Sequence, residues 1–191
     1  MKCRYKYVGL IGMPGSGKDK CAAYISNKYK MVIIRLSDVV EREAYKMGYK
    51  KITREALRQV GTEIRKRLGQ EAVMRLAAEE GERLMVSGEY SGVVFNGLRT
   101  IEEVLFFKEK YGIEGCIIGV FATLKTRYNR VKERGRYGFD VKDYQSFLDE
   151  DMRELKLFGI GNAMMLADYI IVNEGSLEEL HVNLQVLLEN R

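Results

Sequence analysis

Gly12-Met13-Pro14-Gly15-Ser16-Gly17-Lys18-Asp19 places three glycines within six residues and a lysine directly after the last. This spacing fits GxxxxGK, in which glycines let the backbone curl until successive N–H groups point inward at a phosphate. A helix opening at Lys18 adds partial positive charge at its N-terminus, and the lysine brings a point charge to the β- and γ-phosphates. The chemistry is that of gripping the polyphosphate tail of a nucleotide such as ATP. Pro14, the single proline of the chain, stiffens a turn that must be shaped before the ligand arrives. Position 19 departs from the pattern, because a Ser or Thr hydroxyl normally ligates magnesium there. Asp19 is open to two readings: a carboxylate that reaches Mg2+ directly or through water, or a residue that caps the following helix.

Other charged residues gather in two stretches. From Lys125 to Arg136 there are six basic residues against one acid, Glu133. Arg127, Arg130 and Arg134 recur at helical spacing, so one face is expected to present all three guanidinium groups to a transferring phosphate, or to solvent. Lys50 to Arg67 holds seven basic residues against two acids. Within it Arg54 and Arg58 are candidates to meet an acceptor phosphate, while Arg65, Lys66 and Arg67 read as solvated surface. A basic stretch of this kind also attracts RNA, although no RNA-binding motif accompanies it. His181, the only histidine, is remote from every motif, which argues against histidine acid–base chemistry. Glu79, Glu80 and Glu82 read as a helix surface.

Around these residues, short apolar runs alternate with longer stretches of helical period, the pattern of an α/β domain with a mostly parallel sheet. Strands are expected at Tyr5 to Ile11, Met31 to Leu36, Val93 to Phe95, Cys116 to Ala122 and Tyr169 to Val172. The first of them feeds the glycine-rich loop, and a helix from Lys18 to Tyr29 leaves it. Between the second and third strands lie helical stretches at 38–47, 54–68 and 70–87, more than one crossover needs. The excess reads as an acceptor-binding flap, about 38–90, inside a single domain of 191 residues. Further helices are expected at 102–111, 126–134 and 177–188. A net charge of +5 suits anionic partners. Three cysteines without a CxxC pair give neither a disulfide framework nor a zinc cluster, and fit a reducing cytoplasm. No apolar run is long enough to span a membrane, and none near the N-terminus suits a signal peptide.

The third strand ends in Asn96-Gly97-Leu98-Arg99, which resembles the DG-x-R signature of adenylate kinase and its relatives, with Asn for Asp. Together with GMPGSGK, Ser37-Asp38-Val39-Val40 followed by Arg42, Glu133-Arg134-Gly135-Arg136, Gly159-Ile160-Gly161, and Ala167-Asp168-Tyr169 through Leu177, the chain is similar over almost its whole length to an uncharacterised archaeal P-loop kinase family related to adenylate kinase and dephospho-coenzyme A kinase. The resemblance implies a P-loop three-layer fold with a five-stranded parallel sheet in the order 2-3-1-4-5 and a lid at about 134–153. It implies that Arg130 lies near the adenine of ATP, that Arg134 and Arg136 are lid arginines, and that Asp38, Arg42 and Arg99 hold the acceptor. With the loop motif and the basic stretch, the expected sites are Gly12 through Asp19 and Arg130 for ATP, Lys18, Arg134 and Arg136 for catalysis, and Asp38, Arg42, Arg58 and Arg99 for the acceptor. It also implies that positions 19 and 96 face each other, so that the carboxylate near Mg2+ has changed sides. The activity implied is phosphoryl transfer to a nucleoside monophosphate. Alternatives are a dephospho-coenzyme A or other metabolite kinase, or an ATP-binding switch associated with RNA or ribosomes.

Overall fold

The structure is a computed structural model, and it describes residues 3–135 and 143–189. Five parallel strands, β1 (Tyr7–Ile11), β2 (Met31–Arg35), β3 (Gly92–Leu98), β4 (Gly115–Phe121) and β5 (Tyr169–Val172), form one sheet in the order β2-β3-β1-β4-β5. In the central strand, Val8 lies between Val94 of β3 and Cys116 of β4. Adjacent residues of a strand face opposite sides of the sheet, and here both sides are covered, so the runs read as continuously apolar. Val8, Leu10, Val94, Cys116 and Ile118 pack beneath α1 (Lys18–Tyr29) and α9 (Leu177–Glu189). Ile11, Val93, Phe95 and Ile117 face the other layer, built from α2 (Leu36–Lys46), α3 (Arg54–Leu68), α4 (Ala72–Met85), α5 (Ile101–Tyr111) and the short α8 (Ile160–Met164). Each fully buried Ile, Leu or Phe of these faces contributes about 1.5–3 kcal/mol.

The strand order is the expected one, and so is the crowding of helices between β2 and β3. Several boundaries shift by one to three residues, and three of these shifts bear on the site. β1 begins at Tyr7, although Tyr5 is still buried and shares a hydrogen bond between hydroxyls with Tyr169 at 2.8 Å. β3 continues past Phe95 to Leu98, which sets Asn96 inside the strand. The helix expected at Thr126 starts earlier, as α6 (Leu124–Arg134), because the Thr123 side chain caps it by accepting from the Thr126 N–H. The larger addition is α7 (Tyr144–Phe158), capped by Asp143, whose carboxylate accepts from the Ser146 N–H at 2.8 Å. The buried stripe of α7 is Phe147, Asp151, Glu154 and Phe158, a helical spacing in which two of the four residues are acids.

Among the described residues, no helix is long and apolar enough to cross a membrane. Cys3, Cys21 and Cys116 are free thiols.

Candidate functional site

The loop between β1 and α1 is held from behind at two carbonyls. The Asn173 side-chain amide donates to the Ser16 carbonyl at 2.8 Å, and Arg127 Nη1 donates to the Pro14 carbonyl at 3.3 Å. With these oxygens anchored outward, the first N–H groups of α1, which have no partners within the helix, remain for a ligand. Gly15 and Gly17 adopt φ of 81° and 100°, a region that side chains disfavour. A Cβ at Gly15 would sit 2.6 Å from the Arg127 carbonyl oxygen, and one at Gly17 would strike the Asn173 amide. Sequence reasoning assigned no role to Asn173. Its position directly after the last strand, followed by Glu174-Gly175, was the available signal.

The expected three-arginine face of α6 is not formed. Arg127 is buried, grips both carboxylate oxygens of Asp151 on α7, and donates through Nε to the Ala122 carbonyl at 3.1 Å. Its guanidinium is a strut under the phosphate loop, because a buried arginine needs a paired carboxylate and five acceptors. Arg130 donates to the Asn173 carbonyl at 3.0 Å, and so braces the segment that braces the loop. Arg134 ends α6 close enough to Lys18 and Asp19 for its charge to act on both. Arg136 lies outside the described residues.

Lys18 Nζ stands 3.8 Å from Asp19 Oδ1. Burial lowers the Lys18 pKa below the usual lysine value; Asp19 opposes this, while the Arg99 and Arg134 charges add to it. Burial acts to raise the Asp19 pKa, but the Lys18 charge and the hydrogen bond from Asn96 outweigh it, so the carboxyl is held below the usual range. Asn96 Nδ2 donates to Asp19 Oδ1 at 2.7 Å, so positions 19 and 96 do meet. The other amide atom, Asn96 Oδ1, is buried without a hydrogen-bond partner. Asp19 thus offers a carboxylate beside the phosphate loop, oriented by the Asn96 amide. Magnesium in phosphate sites takes one or two carboxylates, with water and phosphate oxygens for the rest, so Asp19 fits it. Among the described residues there is no cluster of three metal-ligating side chains that would suggest a softer metal.

On the far side of β3, a cavity of about 20 Å3 is lined by residues that include Ser37, Gly97, Arg65, Arg99 and Phe158. Arg99 joins it from the end of β3; Arg58 approaches from α3 but is buried and engaged with Glu55, Glu150 and Glu154. Arg54 lies 3.7 Å from Glu150. Arg65, read from sequence as solvated, is instead buried: it pairs with Glu103 at 2.5 Å and stacks on Phe158. Asp38 is held by Ser37 at 3.2 Å and by Arg35 at 3.8 Å, and Arg42 pairs with Glu80 of α4. Neither Asp38 nor Arg42 lines the cavity.

Fold and loop together define a P-loop nucleotide-binding domain of the kinase-like kind. A family model described as an AAA domain matches residues 11–142. The chain belongs to the UPF0200 family. It is 37% identical over 181 residues to the UPF0200 protein of Thermococcus onnurineus, covering 94% of this chain and 95% of that protein. It is 33% identical over 182 residues to the UPF0200 protein MJ1399 of Methanocaldococcus jannaschii, covering 95% and 88%. Among solved structures, TT1252 from Thermus thermophilus superposes with a TM-score of 0.61 at 19% identity, covering 96% of each chain. The shikimate kinase from Acinetobacter baumannii, in complex with shikimate, does so with 0.59 at 16% identity, covering 98% of this chain and 95% of that one. At such identities the likeness is one of fold.

Proposed function

We propose that the protein transfers the γ-phosphoryl group of ATP to a nucleoside monophosphate or a similar small phosphorylated acceptor. The observation that carries this reading is the juxtaposition of a preformed phosphate loop after β1 and an arginine-lined cavity after β3, on neighbouring strands of one sheet. In such a transfer the γ-phosphorus leaves the β,γ-bridging oxygen and joins an acceptor oxygen, giving ADP and a diphosphate. Lys18 and the loop amides hold the donor tail, and Arg134 adds charge beside Lys18. When bound, magnesium supplies charge neutralisation across the phosphate oxygens. Asp19 is the residue to hold it, steadied by the Asn96 amide.

A phosphate acceptor suits this site because its oxygen is already ionised near neutral pH, with a second pKa of about 6, and needs no base. A hydroxyl acceptor would need one, and Asp38 is half exposed and tied to Ser37 and Arg35. A second reading, a dephospho-coenzyme A or other acceptor with an apolar arm, draws on a cavity of about 210 Å3 beside the loop. Its lining includes Met13, Phe121, Leu155, Ile160 and Met164. The flap at 38–90 completes the proposed kinase domain; of the lid expected at 134–153, residues 136–142 lie outside the described residues.

The test is transfer from labelled ATP to a panel of monophosphates and coenzyme precursors, with Lys18→Ala as control. A wild-type protein that labels nothing, and whose ATP turnover rises only with RNA, defeats the kinase reading in favour of a switch. For the metal, Asp19→Ser should abolish the magnesium-dependent gain in ATP affinity measured by calorimetry, and Asp19→Ser with Asn96→Asp should restore it. Equal magnesium dependence in all three proteins removes the exchange of roles.

A further inference from the structure

The cavity after β3 is narrow, and Arg99, one of the two arginines that line it, is already paired with an acid of the protein's own, Glu154. Glu154 of α7 is only 5% exposed and spreads its carboxylate between two arginines from different elements. One oxygen lies 3.3 Å from Arg99 Nη1 and the other 3.4 Å from Arg58 Nε. Phe158, one turn further along α7, sits with its ring centroid 5.0 Å from the guanidinium carbons of both Arg65 and Arg99. Phe158 lines the cavity, which keeps about 20 Å3, room for a water molecule, whereas small-molecule sites run to roughly 300–1,000 Å3. An acceptor therefore enters only if the end of α7 yields.

The pairing is also loose and incomplete. Charge-assisted hydrogen bonds between nitrogen and oxygen settle at about 2.7–2.9 Å, and both Glu154 contacts are longer. Arg58 Nε and Arg65 Nε are buried without a hydrogen-bond acceptor, so the arginines hold donors that the acids of α3, α5 and α7 do not satisfy. A phosphate monoester brings three terminal oxygens and up to two negative charges, against two oxygens and one charge on a carboxylate.

We propose that Glu154 is an internal stand-in for the acceptor, pairing with Arg99 at the cavity until the phosphate group of a phosphate monoester displaces it. This rests on the acceptor reading of the cavity given above and adds to it a specificity-determining residue. A weakly charged or neutral compound cannot dislodge Glu154, so the closed site discriminates by charge before it discriminates by shape. Glu150 is not equivalent. Its carboxylate bridges Arg58, Arg54 and Arg153, none of which lines the cavity, so it steadies α3 against α7.

The experiment is calorimetric titration of the full chain, without ATP, using inorganic phosphate in one arm and a nucleoside monophosphate in the other. Glu154→Gln should tighten the binding of both about tenfold, the equivalent of removing one competing ion pair of about 1.4 kcal/mol. Glu150→Gln should leave phosphate affinity within about twofold, since it does not compete for Arg99. Arg99→Ala in the Glu154→Gln background should erase the gain. A purely structural role for Glu154 predicts lower thermal stability with unchanged or weaker phosphate binding, and that result, or a gain that persists without Arg99, overturns the proposal. Should Glu154→Gln fail to fold, Glu154→Asp, which keeps the charge and withdraws it by one methylene, decides: tighter phosphate binding supports the exchange and unchanged binding refutes it. Failure of the kinase reading is separate, because it appears as absent phosphoryl transfer in the wild-type protein whatever these titrations give.

Discussion

The two sides of the sheet's C-terminal edge solve opposite problems. After β1, main-chain carbonyls at Pro14 and Ser16 are pulled outward by Arg127 and Asn173, leaving the loop ready for an anion that has not yet arrived. After β3, Glu154 already pairs with Arg99 and Arg58, and the cavity that Arg99 lines is narrow. The donor side is held from behind by the Arg127–Asp151 pair and the Asn173 amide, which a ligand need not disturb. The acceptor side is held by ion pairs that a ligand must exchange. One helix serves both: α7 offers Asp151 to the strut under the loop and, three residues on, Glu154 to the acceptor arginines. Spacing of three residues places the two acids on neighbouring positions of one helix face.

Breaking the donor side should have the largest effect. Asp151→Ala leaves the Arg127 guanidinium buried without its carboxylate, and chemical denaturation should report a loss of about 3–5 kcal/mol. A loss under about 1 kcal/mol would mean that the strut is not where the loop's rigidity resides. Next in size, Lys18→Ala removes a charge-assisted contact of about 1.5–3 kcal/mol, so ATP affinity by calorimetry should fall roughly 10- to 100-fold with the fold intact. The same substitution should leave phosphate binding at Arg99 nearly unchanged, and an equal loss at both sites would erase the distinction drawn between them.

The smallest effect is one of pH. Because burial holds the Lys18 pKa below its usual 10.5, the lysine loses its proton at a lower pH than the unfolded chain does. In that window the unfolded state binds more protons, so this group's contribution to stability rises with pH. A bound polyphosphate favours the charged ammonium, so nucleotide binding takes up a proton and affinity falls with rising pH, by a few-fold per unit. Calorimetry in buffers of different ionisation enthalpy should show that uptake in the wild-type protein and not in Lys18→Ala.

Much of the donor side is legible in the residues alone. GxxxxGK between an apolar run and a helical period specifies the loop, and β-branched runs buried on both faces specify the strands. The facing of Asp19 and Asn96 follows from the neighbouring positions of β1 and β3. On the acceptor side Arg99 was readable from Asn96-Gly97-Leu98-Arg99, but α7 was not, because a search for apolar periodicity passes over a buried stripe in which Asp151 and Glu154 hold half the places. For the same reason Arg127 was expected to face a phosphate or solvent and Arg65 to lie on the surface: an arginine reads as exposed until its carboxylate is known.

The amino-acid sequence by itself determined the sheet, the helices beside it and the phosphate loop, because strand burial, helical period and glycine geometry are local or nearly so. Only the tertiary structure decided which arginines brace the loop, which meet the acceptor and which acids they meet in the meantime. Those choices depend on pairs such as Arg127 with Asp151 and Arg58 with Glu154, 24 and 96 residues apart by their numbering, and attraction between charges at such separations in sequence exists only once the chain has folded.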